Sequence, residues 1–104
     1  MTPVSHYIYV LRPTRPEMLT SGFTDAETRI QADHSAYLDR LSEHGDLILF
    51  GRTLTTDQDT FGIVVFKAES EAAARRLMEN DPGVKNGLMH AKLYPYRIAY
   101  MAKD

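Results

Sequence analysis

Hydrophobic positions along this chain follow two patterns, helical stripes and short continuous runs. Between residues 25 and 44, side chains at the spacing of one helical face form a mostly apolar stripe. The stripe consists of Ile30, His34, Tyr37, Leu38 and Leu41. Thr24 and Glu27 stand at the positions of a capping box, and Gly45 supplies a left-handed stop. The pattern therefore predicts a first helix that ends at about His44.

A second helix is predicted after Ser70, which stands at its N-cap position. Its inner face consists of Ala73, Ala74, Leu77 and Met78. The helix is expected to end near Asn80, because Pro82 cannot continue it and Gly83 interrupts it. Residues 13–23 contain two prolines and a glycine and are predicted to form a loop.

Four runs rich in β-branched and aromatic residues predict strands. They cover residues 6–11, 46–53, 61–67 and 88–101. The first run is apolar throughout, which is typical of a central strand covered on both faces. The short connection at residues 55–59 favours an antiparallel hairpin between the second and third strands. In the last strand, Tyr94, Tyr96, Ile98 and Tyr100 share one face, and Pro95 indicates an edge position or a bulge.

The resulting order, β-α-β-β-α-β, predicts a single α+β domain over residues 1–104 with the ferredoxin-like split βαβ fold. In that fold a four-stranded antiparallel sheet carries both helices on one side. The other sheet face has no cover within the chain, although its strands are apolar on both faces and carry several tyrosines. Because a monomer rarely exposes so large an apolar face, we expect a homodimer in which two sheets pack face to face as a closed barrel.

Composition narrows the classes of function. The net charge of −2 and the scattered basic residues argue against nucleic acid or an anionic membrane as a partner. No apolar run approaches the roughly 20 residues that span a bilayer, and the N-terminus lacks the pattern of a signal peptide, so a cytoplasmic protein is expected.

The residue inventory also narrows the chemistry. With no cysteine, disulfides, thiolate metal sites and cysteine nucleophiles are excluded. The histidines lack metal-ligand spacing, and no glycine-rich nucleotide motif occurs. The sequence therefore predicts no metal and no cofactor.

The most informative position is His34, because an apolar helix stripe rarely includes a group that can take a charge near neutral pH. Asp81 follows the second helix, and two helices on the same side of a sheet can bring these residues together. A carboxylate beside an imidazole fixes its tautomer and orients the ring, as in general-base sites. The alternative for His34 is a core histidine with one satisfied hydrogen bond. For Asp81 it is an ordinary turn before Pro82, with the carboxylate bonded to backbone amides.

Five segments carry a wider resemblance. In chain order they are H-Y-I-Y-V-L-R, D-H-S-A-Y-L-D-R-L, G-D-L-I-L-F-G-R, S-E-A-A-A-R-R-L-M-E-N-D-P and A-K-L-Y-P-Y-R-I. Through them the chain resembles the YciI-like (YCII) domain family along nearly its whole length. The resemblance implies a dimeric α+β barrel and an active site built from a His–Asp pair, which corresponds to His34 and Asp81. Some members of this family and its dimeric barrel relatives are lyases or isomerases of small cyclic or aromatic metabolites.

One departure from the family pattern concerns the ligand. Many relatives have Gly-Pro after the second strand, whereas here Gly51 is followed by Arg52. A cation at this strand end would suit an anionic or enolate-like ligand, and the alternative is a solvated arginine. His90 follows the loop after Asp81 and is a second candidate for ligand binding.

Together these features predict a small, cofactor-independent enzyme in which His34 and Asp81 perform general acid/base chemistry. The expected reaction is elimination or isomerisation of a small cyclic or aromatic metabolite. The competing hypothesis is a non-catalytic domain that binds a small ligand or another protein. An imidazole nitrogen that solvent reaches beside a cavity, with the other nitrogen bonded to Asp81, would favour catalysis.

Overall fold

The computed structural model describes residues 5–102. Four antiparallel strands form one sheet in the order β2-β3-β1-β4. The strands are β1 (Ser5–Pro13), β2 (Leu47–Arg52), β3 (Gly62–Ala68) and β4 (Met89–Tyr96). The α-helices are α1 (Asp25–Glu43), α2 (Glu71–Asn80) and α3 (Pro82–Lys85), and a short 3-10 helix covers Pro16–Leu19. This architecture confirms the predicted ferredoxin-like α+β fold.

The first strand is central, as its continuous apolarity predicted. Tyr9 pairs with Val64 of β3 on one side and with Leu93 of β4 on the other. Tyr7, Tyr9 and Leu11 point toward the helices and are buried. β4 is an edge strand, which accommodates Pro95 as predicted.

The core lies between the sheet and the helices, and it confirms the predicted inner faces. Leu38 of α1 and Met78 of α2 are both buried in it. Phe66 of β3 is fully buried at its centre. The ring of Phe66 contacts Tyr9 edge-on at 5.7 Å between centroids and Tyr7 at 6.1 Å.

Three features of the secondary structure differ from the prediction. β4 ends at Tyr96, which pairs with His6 near the start of β1, so Ile98 and Tyr100 lie beyond the strand. Pro82, expected only to end a helix, also begins the extra helix α3, because a proline needs no hydrogen-bonded N–H at the first helical position. The predicted loop also contains the 3-10 helix Pro16–Leu19.

The start of α1 is fixed by an ion pair as well as by the predicted capping box. The Thr24 hydroxyl accepts from the Glu27 backbone N–H at 3.1 Å, and Glu27 Oε1 accepts from the Thr24 backbone N–H at 2.8 Å. Arg15 donates to both carboxylate oxygens of Glu27, at 2.9 Å from Nε and 2.5 Å from Nη2. The segment before α1 is thereby tied to its first turn.

This arrangement predicts an acid-sensitive helix start. The hydrogen bonds from Arg15, then that from the Thr24 backbone, lower the pKa of Glu27 from 4.5 to about 2. Because the pKa is lowered on folding, the contribution to stability is complete above pH 4.5 and is lost as the pH falls through about 2. An NMR titration of the Glu27 carboxyl group should show this midpoint, and Arg15→Gln should raise it toward 4.5. The control Arg29→Gln should leave it unchanged, and a wild-type midpoint near 4.5 would contradict the prediction.

Candidate active site

Asp81 lies at the junction of α2 and α3, where it ends one helix and caps the next. Its Oδ1 accepts a hydrogen bond from the Gly83 backbone N–H at 2.9 Å. This is the turn chemistry that the sequence offered as the ordinary alternative. The carboxylate is nevertheless fully buried, at 0% exposure, and the turn satisfies only one of its acceptor sites.

Two further side chains complete the surroundings of Asp81. The Nδ1 of His34 lies 2.7 Å from Oδ1, and the hydroxyl of Tyr9 donates to Oδ2 at 2.8 Å. With the Gly83 N–H, the carboxylate has three partners, which come from α1, β1 and α3, so it links three elements of the fold. A buried carboxylate requires such donors, because its desolvation is otherwise strongly unfavourable.

The hydrogen bonds define the state of the imidazole. An ionised carboxylate only accepts, so a neutral His34 carries its proton on Nδ1, and Nε2 then keeps its lone pair. Within residues 5–102, Nε2 has no hydrogen-bond partner. Every buried side-chain nitrogen or oxygen in this part of the chain has a partner, so Nε2 is not one of the buried atoms. Nε2 therefore keeps some contact with solvent, although His34 as a whole is only 7% exposed.

A cavity of about 280 Å³ adjoins His34, between α1 and the sheet. Its walls are mostly apolar, with Gln31, Ser35 and Arg52 as polar members. The volume lies just below the roughly 300–1,000 Å³ of pockets for drug-sized ligands, so the cavity suits a small molecule. The site therefore combines the His34 imidazole with a cavity that this residue lines.

Sequence reasoning missed two residues of this site. Tyr9 was not distinguished from the other tyrosines of the predicted strands, whereas its hydroxyl reaches Asp81 from 72 positions away in the chain. Gly83 was noted only as a helix breaker. A Cβ on Gly83 would lie 3.0 Å from His34 Nδ1 and 2.5 Å from the terminal methyl of Met89, so the missing side chain lets α3 pack against the imidazole.

Burial keeps the tyrosine hydroxyls of this region protonated. The pKa of Tyr9 is raised far above its ordinary value, first by desolvation and then by the negative charge and hydrogen bond of Asp81. The pKa of Tyr37 is also raised, chiefly by burial, and its hydroxyl donates to the Leu77 carbonyl at 2.6 Å. Tyr9 is therefore a hydrogen-bond donor to Asp81 over the whole physiological pH range.

The two predicted binding residues lie on different sides of the sheet. Arg52 is exposed at the end of β2 and lines the His34 cavity. In the described part of the chain it makes one long hydrogen bond, 3.5 Å to the Thr53 carbonyl, and no ion pair. His90 pairs with Arg12 on the sheet face opposite the helices and is not among the residues lining that cavity. The structure thus brings His34, Asp81 and Arg52 to one site and leaves His90 away from it.

Residues 5–102 contain no helix with the length and apolarity to cross a membrane. The same residues hold no group of three or more histidine, cysteine, aspartate or glutamate side chains arranged to bind a metal ion.

A family comparison matches this architecture. The model of the YCII-related domain matches residues 7–96. The chain belongs to the YCII-related domain family. This confirms the resemblance inferred from the five sequence segments.

Solved structures similar to this YCII-related domain include two that match most of the chain. The first is the 5-chloro-2-hydroxyhydroquinone dehydrochlorinase TftG from Burkholderia phenoliruptrix, in complex with 2,5-dihydroxybenzoquinone. It is 25% identical, with a TM-score of 0.63, over 88% of this chain and 93% of that chain. The second is an uncharacterized protein from Thermotoga maritima, 15% identical with a TM-score of 0.55, over 91% of this chain and all of that chain. The second likeness concerns the fold alone. None of the curated proteins matches the chain significantly.

Proposed function

We propose that this YCII-related domain is a small enzyme in which His34 and Asp81 catalyse elimination or isomerisation of a small cyclic or aromatic metabolite. The observation that carries the proposal is the 2.7 Å contact between His34 Nδ1 and Asp81, with Nε2 unbonded within residues 5–102 and His34 lining a cavity. A histidine that served only the core would be expected to have both nitrogens enclosed by protein. The arrangement supports the catalytic alternative over the structural one.

In the proposed reaction, His34 Nε2 removes a proton from a C–H or O–H group of the substrate. In an elimination, the released electron pair forms a new π bond and the leaving group departs with its bonding pair. In an isomerisation, the imidazolium returns the proton to a different atom of the substrate. Asp81 stabilises the imidazolium in both cases, and this proton chemistry needs no cofactor.

Arg52 is proposed to stabilise the negative charge that forms on the substrate. Its guanidinium lies at the cavity of His34 and has no carboxylate partner within residues 5–102. Mostly apolar walls strengthen the attraction between such a cation and an enolate or phenolate. The binding role of His90 stays a prediction, and it would require a ligand that also contacts the opposite sheet face.

The likeness to TftG supports the substrate class. That protein is named as a dehydrochlorinase, and the ligand in its structure is a small cyclic compound, 2,5-dihydroxybenzoquinone. Loss of hydrogen chloride is an elimination, which a single base with a positioned leaving group can perform. We therefore propose the same class of reaction for this domain, on a ring of similar size.

Replacing His34 tests the proposal. With 5-chloro-2-hydroxyhydroquinone as the substrate and chloride release as the readout, His34→Gln should lower the rate by about 10²–10⁴-fold, the usual contribution of a general base. The melting temperature should stay near that of the wild type, because glutamine fills a similar space. The control His44→Gln changes an exposed histidine at the end of the same helix and should leave the rate unchanged.

Three outcomes would contradict the proposal. A His34→Gln variant with wild-type turnover would exclude the imidazole as the base. A large fall in melting temperature would instead identify His34 as a packing residue. If the wild-type protein binds 2,5-dihydroxybenzoquinone but turns over neither this compound nor a panel of small enolisable anions, the domain is a ligand-binding module.

We also propose that the protein is a cytoplasmic homodimer that pairs through the open sheet face. Ile8, Val10, Leu49, Ile63 and Tyr94 present apolar groups on this face. Burying such a face against a second copy would remove it from water.

If the protein is a homodimer, its mass in solution should be that of two chains. Leu49→Glu should shift the protein to the monomer mass, because Leu49 is 47% exposed on the open face and a buried glutamate would have no partner there. The control Leu54→Glu changes a leucine that is 90% exposed in a loop and should leave the dimer intact. Analytical ultracentrifugation measures both, and a monomeric wild-type protein at micromolar concentration would refute the dimer.

A further inference from the structure

Tyr9 is a buried titratable group that the proposed reaction does not use. It lies on the central strand with no exposed surface, and its hydroxyl donates to Asp81 Oδ2 at 2.8 Å. The other oxygen of the same carboxylate, Oδ1, accepts from the Gly83 backbone and from His34. The carboxylate is therefore held at both ends, by a strand on one side and by two helices on the other.

We propose that Tyr9 is a positioning residue for the general base. Its hydroxyl prevents rotation of the Asp81 carboxylate, so that Oδ1 stays against His34 Nδ1 and the ring stays in the Nδ1–H tautomer. The catalytic consequence rests on the function proposed above, whereas the hydrogen-bond geometry does not depend on it.

The tautomer matters because only the Nδ1–H form leaves a lone pair on Nε2, the nitrogen open to solvent. A neutral imidazole without a fixed partner exchanges between both tautomers, and the Nε2–H form cannot accept a proton at that nitrogen. Asp81 selects the reactive form only while its oxygen remains aligned with Nδ1. A group that hydrogen-bonds the partner of a histidine, as Tyr9 bonds Asp81 here, commonly helps to fix the orientation of the ring.

The direction of the bond is also defined. Burial and the neighbouring negative charge raise the pKa of Tyr9, so the phenol remains the donor and Asp81 the acceptor. The ionisable groups that act on Tyr9 are Asp81, from the α2–α3 junction, and Tyr37, from α1. Tyr37 itself donates elsewhere, to the Leu77 carbonyl.

The test compares two hydroxyl deletions in protein labelled with ¹⁵N at histidine. In the wild type, the ¹⁵N shifts of His34 at alkaline pH should show the Nδ1–H tautomer alone. In Tyr9→Phe, both tautomers should appear, and the Nδ1 proton should exchange with water at least tenfold faster. Tyr37→Phe is the matched control. It removes a hydroxyl of α1 that donates to the Leu77 carbonyl of α2 at 2.6 Å, and it should keep the wild-type pattern.

A Tyr9→Phe spectrum identical to that of the wild type would overturn the proposal. If that variant does not fold, 3-fluorotyrosine at position 9 keeps the ring and strengthens the donor. It should move the His34 Nδ1–H resonance, whereas the same analogue at position 37 should not, and an unmoved resonance counts against the proposal.

Activity separates this inference from the proposed function. With chloride release from 5-chloro-2-hydroxyhydroquinone as the readout, Tyr9→Phe should lower kcat about tenfold and leave KM unchanged, as expected when only the alignment of the base is lost. A tautomer change in Tyr9→Phe together with full activity in His34→Gln would uphold the effect of Tyr9 on the His34 tautomer and refute His34 as the base. An unchanged tautomer in Tyr9→Phe together with lost activity in His34→Gln would uphold His34 as the base and refute the role of Tyr9.

Discussion

Replacing Asp81 with alanine should lower the free energy of unfolding by about 3–5 kcal/mol, as is typical when a buried, hydrogen-bonded charge is removed and its partners remain. The Tyr9 hydroxyl, the Gly83 N–H and His34 Nδ1–H would all lose their acceptor inside the protein. These donors belong to β1, α3 and α1, so the loss affects the contacts among three elements at once. We therefore expect both the stability and the activity of Asp81→Ala to collapse.

Asp81→Asn should separate these two effects. The amide oxygen can still accept from Gly83 and His34, and the amide NH₂ can donate to Tyr9 if the phenol turns to accept. Most of the stability is then retained. Without the negative charge the imidazolium is no longer stabilised, and we expect the rate to fall by about 10²–10⁴-fold.

Urea denaturation and chloride release from 5-chloro-2-hydroxyhydroquinone measure the two quantities. Asp39→Ala, an exposed carboxylate on α1, should change neither. A loss below about 0.5 kcal/mol in Asp81→Ala would show that the buried network contributes little, since that is the range of ordinary surface substitutions. Full activity in Asp81→Asn would show that the charge has no catalytic role.

The sequence predicted those features of the fold that depend on neighbours in the chain. The stripe from Ile30 to Leu41 identified the buried side of α1, because residues three and four apart share a helical face. The Thr24–Glu27 pair marked the helix start for the same local reason. His34 was recognisable as a candidate because it interrupts that stripe with a titratable ring.

Features that depend on pairing between distant segments were harder to predict. The Tyr9–Asp81 bond depends on where the α2–α3 junction lies above β1, and no spacing in the chain encodes that position. The side of the sheet on which His90 lies could have been predicted from the sequence. His90 lies four positions before Tyr94 along β4, an even spacing that puts both on the same face, and the residues of that face point away from the helices.

Phe66→Ala should lower the free energy of unfolding by about 3–5 kcal/mol, the loss typical of truncating a buried aromatic side chain. Phe66 is completely buried, and its ring contacts both Tyr7 and Tyr9 across the sheet. Alanine would leave a cavity that the paired strands β1 and β3 cannot close, because their spacing is fixed by backbone hydrogen bonds.

The consequences should extend to the candidate active site, because the Phe66 ring supports the ring of Tyr9 from the side. We expect the His34 tautomer to become mixed in Phe66→Ala, as in Tyr9→Phe, although the Tyr9 hydroxyl is still present. Phe23→Ala is the matched control, since Phe23 is 44% exposed and its loss should lie within about 1 kcal/mol. Urea denaturation and the ¹⁵N spectrum of His34 report the two effects separately. A destabilised Phe66→Ala protein with a single Nδ1–H tautomer would show that the carboxylate is aligned without support from the Tyr9 ring.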